Sequence, residues 1–205
     1  MQSGLVSDLS RPNGNVTGTT YLNVEVAPKL LELIHDAVPG ARRVAVIVNP
    51  DNPGTPAVER TMKEAADKLG LELDVVHVND ARDLETAFAR VKAFGAGGLV
   101  IGGDAVLNAQ MGTIAAIALR QGVPTIYPSE RFAAAGGLMS YGGSANDGYQ
   151  RAGVYVGRIL RGEKPANLPV QQTTKVELVI NMNTARALGI TMPLSLLGRT
   201  NGVLE

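Results

Sequence analysis

Segments with helical hydrophobic spacing alternate with short apolar runs along most of the chain. Between Pro28 and Gly40, leucines, Ile34 and Val38 recur at helical spacing. Residues 43–48 (RVAVIV) follow as a nearly continuous apolar run, which is typical of a strand covered on both faces. Such alternation predicts an α/β fold with a doubly wound parallel sheet. We expect Pro28 to begin the first helix, where its missing N–H costs nothing.

The later segments repeat this plan. A second helix begins at Pro56 and ends at Gly70, and Asp80 or Asp83 caps a third. A fourth helix, starting near Met111, ends at Gly122, and residues 184–188 form a short helix. We expect Ser129 to cap a further short helix, and Asn146 to cap a helix with Tyr149, Ala152, Val156, Ile159 and Leu160 facing inward. The remaining predicted strands are residues 73–78, 98–101, 124–127, 138–141, 168–171 and 176–180.

Polar and aromatic side chains follow several of the predicted strands directly. In open parallel sheets, ligands bind outside the carboxyl ends of the strands. Carboxylate, amide and hydroxyl groups at these ends could bind a small zwitterion or anion, and tyrosine rings could pack against a flat ligand. The candidate ligand-binding residues are Asn49, Asp51, Asp104, Tyr127, Ser129, Ser140 and Tyr141.

Most of these candidates also have a purely structural interpretation. Asp104 could hold a ligand ammonium group, or it could cap the following helix at Val106, and one carboxylate can do both. Asn49 and Asp51 lie in a proline- and glycine-rich loop where they could simply form turns. Tyr127 and the other strand-end tyrosine could belong to the core. These alternatives stay open at the level of sequence.

Composition narrows the possible functions. The chain has 205 residues with 19 basic and 19 acidic side chains, so the balanced charge gives no support for nucleic-acid binding. The absence of cysteine excludes disulfides, thiolate metal sites and cysteine nucleophiles. His35 and His77 have no second histidine at metal-binding spacing, and we predict no metal and no cofactor. Phosphate-loop and nucleophile-elbow motifs are missing, so we predict no catalytic residues.

Five stretches of the chain have a recognisable sequence: residues 14–18 (GNVTG), 43–50 (RVAVIVNP), 83–88 (DLETAF), 136–142 (GGLMSYG) and 177–181 (ELVIN). In this order they resemble the tryptophan/tyrosine-type family of ABC-transporter substrate-binding proteins, and residues 152–169 fit the same family. The resemblance covers nearly the whole chain.

The resemblance implies a type I periplasmic-binding-protein fold, in which two α/β lobes close around a small molecule such as an aromatic amino acid or a related carboxylate. It also implies an ABC permease as partner and a periplasmic or lipid-anchored location. On this basis we expect one full lobe and parts of the second, without the export signal and the N-terminal part of lobe 1. The expected segments are residues 1–23 (remnant of lobe 1 and first crossover), 24–141 (complete lobe), 142–167 (return helix) and 168–205 (final crossover strands and C-terminal helix).

Two other hypotheses remain beside a solute-binding component of an ABC importer. The first is a cytosolic sensor or regulatory module that acts as a homodimer. It is motivated by the missing signal peptide and by the half-cleft that would be left exposed. The second is an α/β enzyme that uses Asp104.

Overall fold

The described residues form alternating helices and strands. The computed structural model describes residues 5–20, 23–173 and 176–205. The helices are α1 (Asn23–Ala37), α2 (Thr55–Leu69), α3 (Leu84–Phe94), α4 (Ala105–Ala109), α5 (Met111–Gln121), α6 (Glu130–Ala134), α7 (Ala145–Leu160), α8 (Met182–Ala187) and α9 (Leu194–Leu197). The strands are β1 (Thr19–Thr20), β2 (Arg43–Val48), β3 (Glu72–His77), β4 (Gly98–Ile101), β5 (Thr125–Tyr127), β6 (Met139–Gly143), β7 (Gln171–Gln172), β8 (Val176–Asn181) and β9 (Gly202–Leu204).

The chain divides into two compact units, and each is made of two separate segments. The first unit contains the described residues of Met1–Leu22 and Gly143–Val176, and the second contains Asn23–Gly142 and Glu177–Glu205. The second unit holds a sheet of seven strands in the order β3-β2-β4-β5-β6-β8-β9. Strand β2 pairs in parallel with β3 and β4, and the pairs β4–β5, β5–β6 and β8–β9 are parallel too. The predicted α/β fold with a parallel sheet is confirmed.

Strand β2 shows why the apolar run predicts a strand buried on both faces. Its side chains alternate between two hydrophobic clusters. Val44, Val46 and Val48 pack with residues of α1 and α2, whereas Ala45 and Ile47 pack with residues of α3 and α5. Helices therefore cover both faces of the sheet, and the strand ends remain as the accessible edge where loops can hold polar groups.

Two predicted helix starts differ from the structure, and a third helix starts as predicted but without the expected capping hydrogen bond. Helix α1 begins at Asn23, so Pro28 lies inside it and lacks the N–H that would continue the hydrogen-bond ladder. The N-terminal cap of α7 is Ser144, whose hydroxyl accepts from the Asp147 N–H, so the prediction for Asn146 was wrong. Ser129 occupies the cap position of α6 but its side chain makes no capping hydrogen bond. Short polar residues next to each other compete for one cap, and sequence spacing does not decide between them.

The first unit contains α7 and the parallel pair β1–β7. Tyr155 is buried, and its hydroxyl donates to the Pro169 carbonyl at 2.6 Å. Of the side chains of α7 expected to face inward, Ala152 and Ile159 are half-buried, and the other three are exposed: Tyr149 by 68%, Val156 by 55% and Leu160 by 82%. That prediction was wrong because helical spacing identifies an apolar stripe but does not reveal whether anything covers it. The predicted strand at residues 168–171 was also wrong, except that β7 begins at Gln171.

Candidate functional site

Asp104 lies at the carboxyl end of β4 and begins α4. Its backbone is extended, and its Oδ1 accepts from the N–H groups of Val106 at 2.8 Å and Leu107 at 3.4 Å. This geometry is that of an N-terminal cap, so the predicted capping role is confirmed. The cap fixes the carboxylate at the edge of the sheet where ligands bind in open α/β folds.

Two asparagines from the loop after β2 hold the same carboxylate. The Asn49 Nδ2 donates to Asp104 Oδ1 at 3.1 Å, and the Asn52 Nδ2 donates to Asp104 Oδ2 at 3.0 Å. The Oδ1 of Asn49 accepts from the Asp51 N–H, and that of Asn52 accepts from the Gly54 N–H. Because a backbone donor occupies each amide oxygen, each amide nitrogen must face Asp104. The turn interpretation of Asn49 is thus confirmed, and the turn is also what orients the side chain.

Asp104 carries a negative charge that no cation offsets within the described part of the chain. Its partial burial acts to raise its pKa, but the hydrogen bonds from Asn49, Asn52, Val106 and Leu107 together outweigh this and hold the pKa below its usual range. All four donors are neutral, and no ion pair reaches the carboxylate from any described residue. Since Oδ2 accepts only one of these bonds, it has capacity for another donor.

A small cavity lies beside this carboxylate. Its volume is about 130 Å³, below the roughly 300 to 1,000 Å³ of complete ligand pockets, so it can enclose only part of a ligand that fills such a pocket. At Gly102 a Cβ atom would lie 2.9 Å from the Val48 Cγ1, which explains why this position has no side chain. A larger groove of about 820 Å³ runs along α2 and β3, away from the predicted site residues. The small cavity is lined by Val24, Val48, Asn49, Asn52, Gly54, Thr55, Val58, Gly102, Gly103 and Asp104.

The other predicted site residues follow neighbouring strands. Asp51 is exposed, and its Oδ2 accepts from the Asn79 Nδ2 at 3.3 Å. Ser140 is buried and donates to the Glu130 carbonyl at 3.5 Å, Tyr141 packs partly against the core of the second unit, and Ser129 is half-buried. The structure brings Asn49 and Asp104 together at the ends of β2 and β4. The Asp51 carboxylate instead contacts Asn79 after β3, and the other predicted residues lie at the ends of β5 and β6.

Tyr127 is part of the core rather than of the small cavity's lining. Its ring is fully buried and packs against Phe132 with centroids 5.5 Å apart. Its hydroxyl donates to the Asn108 Oδ1 at 2.6 Å, so Tyr127 links β5 to α4, the helix that Asp104 caps. Burial raises the pKa of Tyr127, and the hydroxyl therefore stays protonated as a donor. The position matches the core alternative, and a ligand-binding role for the hydroxyl stays a prediction.

Sequence reasoning missed Asn52 and Asn108. Asn52 belongs to residues 49–54 (NPDNPG), where the second Asn-Pro repeats the first, and this repeat was the available signal. Asn108 follows Asp104 by one helical turn, a spacing that places its side chain near that of the cap. Neither signal distinguishes a turn former from a residue that orients a carboxylate.

We expect Asp104 to make stability depend on acid pH. Its folded pKa lies below the usual value of 3.8, so the ionised carboxylate stabilises the fold above that pH, and this contribution is lost as pH falls through the lowered pKa. Urea unfolding of the wild type and of Asp104→Asn, measured from about pH 7 down to about pH 3, should show the wild type's advantage shrinking below about pH 4. An advantage that stays constant over this range would contradict the assignment.

Two other kinds of feature are absent from the described residues. Histidine, aspartate and glutamate form no group of three that could hold a metal ion in the ranges that the structure covers. Within the same ranges, no helix has the length and apolarity needed to cross a membrane.

Comparison with known proteins gives consistent matches. The family model described as ABC transporter substrate binding protein matches residues 1–204. A tyrosine-binding protein from Clostridioides difficile is 25% identical over 189 residues, which cover 92% of this chain and 54% of that protein. The chain therefore spans about half the length of this curated relative.

Solved structures show the same fold. An ABC domain from Streptococcus pneumoniae in complex with L-Trp is 24% identical, with a TM-score of 0.85 over 99% of this chain and 69% of that one. A conserved domain protein from Vibrio cholerae is 25% identical, with a TM-score of 0.86 over 98% of this chain and 67% of that one. The predicted type I periplasmic-binding-protein-like fold is confirmed by these likenesses.

Proposed function

Because the chain belongs to the family of ABC transporter substrate binding proteins, we propose that it binds a small solute carrying an ammonium group, such as an aromatic amino acid, for an ABC importer. The observation that carries this proposal is the ionised Asp104, which neutral donors hold at the edge of a cavity without a cation. An ammonium group would offset this charge and donate to the open position on Oδ2. The tyrosine-binding relative supports an aromatic amino acid as the solute.

The small cavity would supply one wall of the binding site. Its volume of about 130 Å³ suits an ammonium group and adjoining atoms, so the rest of the solute would contact other residues. We propose that residues 24–141 act as one lobe of the receptor and that residues 142–167 belong to the other lobe, with Asp51, Tyr127, Ser129, Ser140 and Tyr141 near the lobe edge. In this scheme residues 1–23 contain a remnant of the other lobe and the first crossover, and residues 168–176 contain the final crossover. Residues 177–205 return to the lobe of residues 24–141, because β8 and β9 complete its sheet.

The protein would act as a receptor rather than as a catalyst. The neighbours of Asp104 are amides and backbone N–H groups, which can orient a carboxylate but cannot serve as a nucleophile with its base. By analogy with its family, the protein would work outside the cytoplasmic membrane and would deliver the solute to a membrane permease.

Direct titration with L-tryptophan tests the binding function. The chain contains no tryptophan, so indole fluorescence excited where tyrosine does not absorb reports only the ligand. We expect L-tryptophan to bind the wild type and Asp104→Asn to bind at least about 30-fold more weakly, because removing one member of a desolvated charge pair is strongly unfavourable. Calorimetry with L-tyrosine should give the same ranking.

Asp67→Asn is the matched control. Asp67 is exposed on α2, and the substitution makes the same change of charge and shape away from the small cavity. Its affinity should equal that of the wild type. Failure of the wild type to bind any aromatic amino acid at millimolar concentration, or equal affinities of all three proteins, would overturn the proposal.

A further inference from the structure

The side chain of Arg131, in the second unit, is a cation without a partner among the described residues. It lies in α6 and is exposed, and its guanidinium group makes no hydrogen bond or ion pair with any residue that the structure describes. Most other arginines form ion pairs with acidic side chains. They are Arg43, Arg60, Arg82, Arg90, Arg120, Arg151, Arg158 and Arg199. Arg131 therefore resembles Asp104 in having a charge without a partner.

The topology places Asp104 and Arg131 at the same edge of the sheet. Strands β4 and β5 are parallel neighbours, with Leu99 opposite Thr125 and Val100 opposite Ile126. Asp104 follows β4 and Arg131 follows β5. Since neighbouring strands lie about 4.8 Å apart, the segments that leave their carboxyl ends begin side by side.

One buried side chain connects the two segments. The Tyr127 hydroxyl donates to Asn108 in α4, and the Tyr127 ring packs against Phe132, the residue that follows Arg131. Burial is the main reason that the pKa of Tyr127 is raised, and beside it the negative charge of Asp104 raises this pKa whereas the positive charge of Arg131 lowers it. The anion and the cation thus share one rigid support, although they do not pair with each other.

We propose that Arg131 binds the carboxylate of an α-amino acid whose ammonium group is bound by Asp104. This inference rests on the proposed function and adds a binding residue to it. A guanidinium group matches a carboxylate with two parallel N–H donors, and its long flexible side chain can follow ligands of different size. Two opposite, unpaired charges at one edge favour a zwitterion over a simple amine or a simple acid.

Three indole ligands separate the two charges. L-Tryptophan carries both groups, tryptamine lacks the carboxylate, and indolepropionate lacks the ammonium group. We expect Arg131→Ala to weaken the binding of L-tryptophan and of indolepropionate by at least about tenfold, since a hydrogen bond to a charged group contributes this much, and to leave the binding of tryptamine unchanged. Asp104→Asn should weaken the binding of L-tryptophan and of tryptamine and leave that of indolepropionate unchanged. Arg131→Lys, which keeps the charge without the fork, should give an intermediate loss.

Arg42→Ala is the matched control, because Arg42 is also exposed and unpaired among the described residues but precedes β2 at the opposite edge of the sheet. Its affinities should equal those of the wild type. Equal losses for L-tryptophan in the Arg42 and Arg131 variants, or a loss of tryptamine binding in Arg131→Ala, would overturn the role of Arg131 and leave that of Asp104 intact. No binding of L-tryptophan by the wild type would overturn both.

Discussion

Replacing Gly142 with alanine is expected to destabilise the protein by about 3 kcal/mol, as overpacking against rigid atoms does. A Cβ atom at this position in β6 would lie 2.4 Å from the Pro128 carbonyl oxygen and 2.6 Å from its carbon. These are backbone atoms of the segment that leaves β5, so relief requires the two segments to move apart. That movement would also displace Ser129 and the start of α6. We expect the midpoint of urea unfolding, followed by circular dichroism, to fall clearly.

Gly112→Ala provides the control for the same chemical change. Gly112 lies in α5, and a Cβ atom there would meet nothing within 4 Å. Because alanine is the better helix former, this variant should be stabilised by about 0.5 to 1 kcal/mol. Similar midpoints for the two variants would show that β6 yields easily and would contradict the close approach.

Phe88→Ala is expected to lower the free energy of unfolding by about 3 to 5 kcal/mol, which is the second large effect that we expect. Phe88 is completely buried in the cluster that α3 and α5 form against the sheet, and truncation leaves a cavity there. Leu160→Ala also truncates a large apolar side chain, but in the exposed stripe of α7, so it should change the free energy of unfolding by less than about 0.5 kcal/mol.

Hydrogen exchange of the β2 and β4 amides, measured together with the urea transitions, would show whether the second unit is the part of the molecule that Phe88→Ala destabilises. These strands pack against the Phe88 cluster, so their protection should fall in Phe88→Ala and persist in Leu160→Ala. If Leu160→Ala cost as much as Phe88→Ala, the stripe of α7 would have to be covered in solution.

Local signals in the sequence predicted local structure well. Strand β2 was predicted with its bounds because an uninterrupted apolar run of that length has few alternatives, and the left-handed ends of α2 and α5 at Gly70 and Gly122 follow from glycine's tolerance of positive φ. The cap at Asp104 was one of two interpretations that the sequence offered, and it could be foreseen because it depends on neighbours only two or three positions away.

Features that depend on distant residues were not predictable in this way. The hydrogen bond from Asn52 to Asp104 joins residues that are 52 positions apart in the sequence. Nothing in the loop sequence indicates which strand end the Asn52 side chain faces. The exposure of α7 depends on what surrounds the helix rather than on its own spacing. Strand β9 (Gly202–Leu204), in a stretch without clear periodicity, is defined mainly by its pairing with β8.

The order of strands has a consequence for synthesis on the ribosome. Strands β8 and β9 complete the sheet of the second unit, yet all of α7 and β7 is made between β6 and β8. At roughly 5 to 20 residues per second, several seconds separate the emergence of β6 from that of β9. During this interval one edge of β6 lacks its neighbour, and an unpaired edge is a site for association with other chains. We therefore expect nascent chains halted before β8 to bind chaperones more strongly than completed ones.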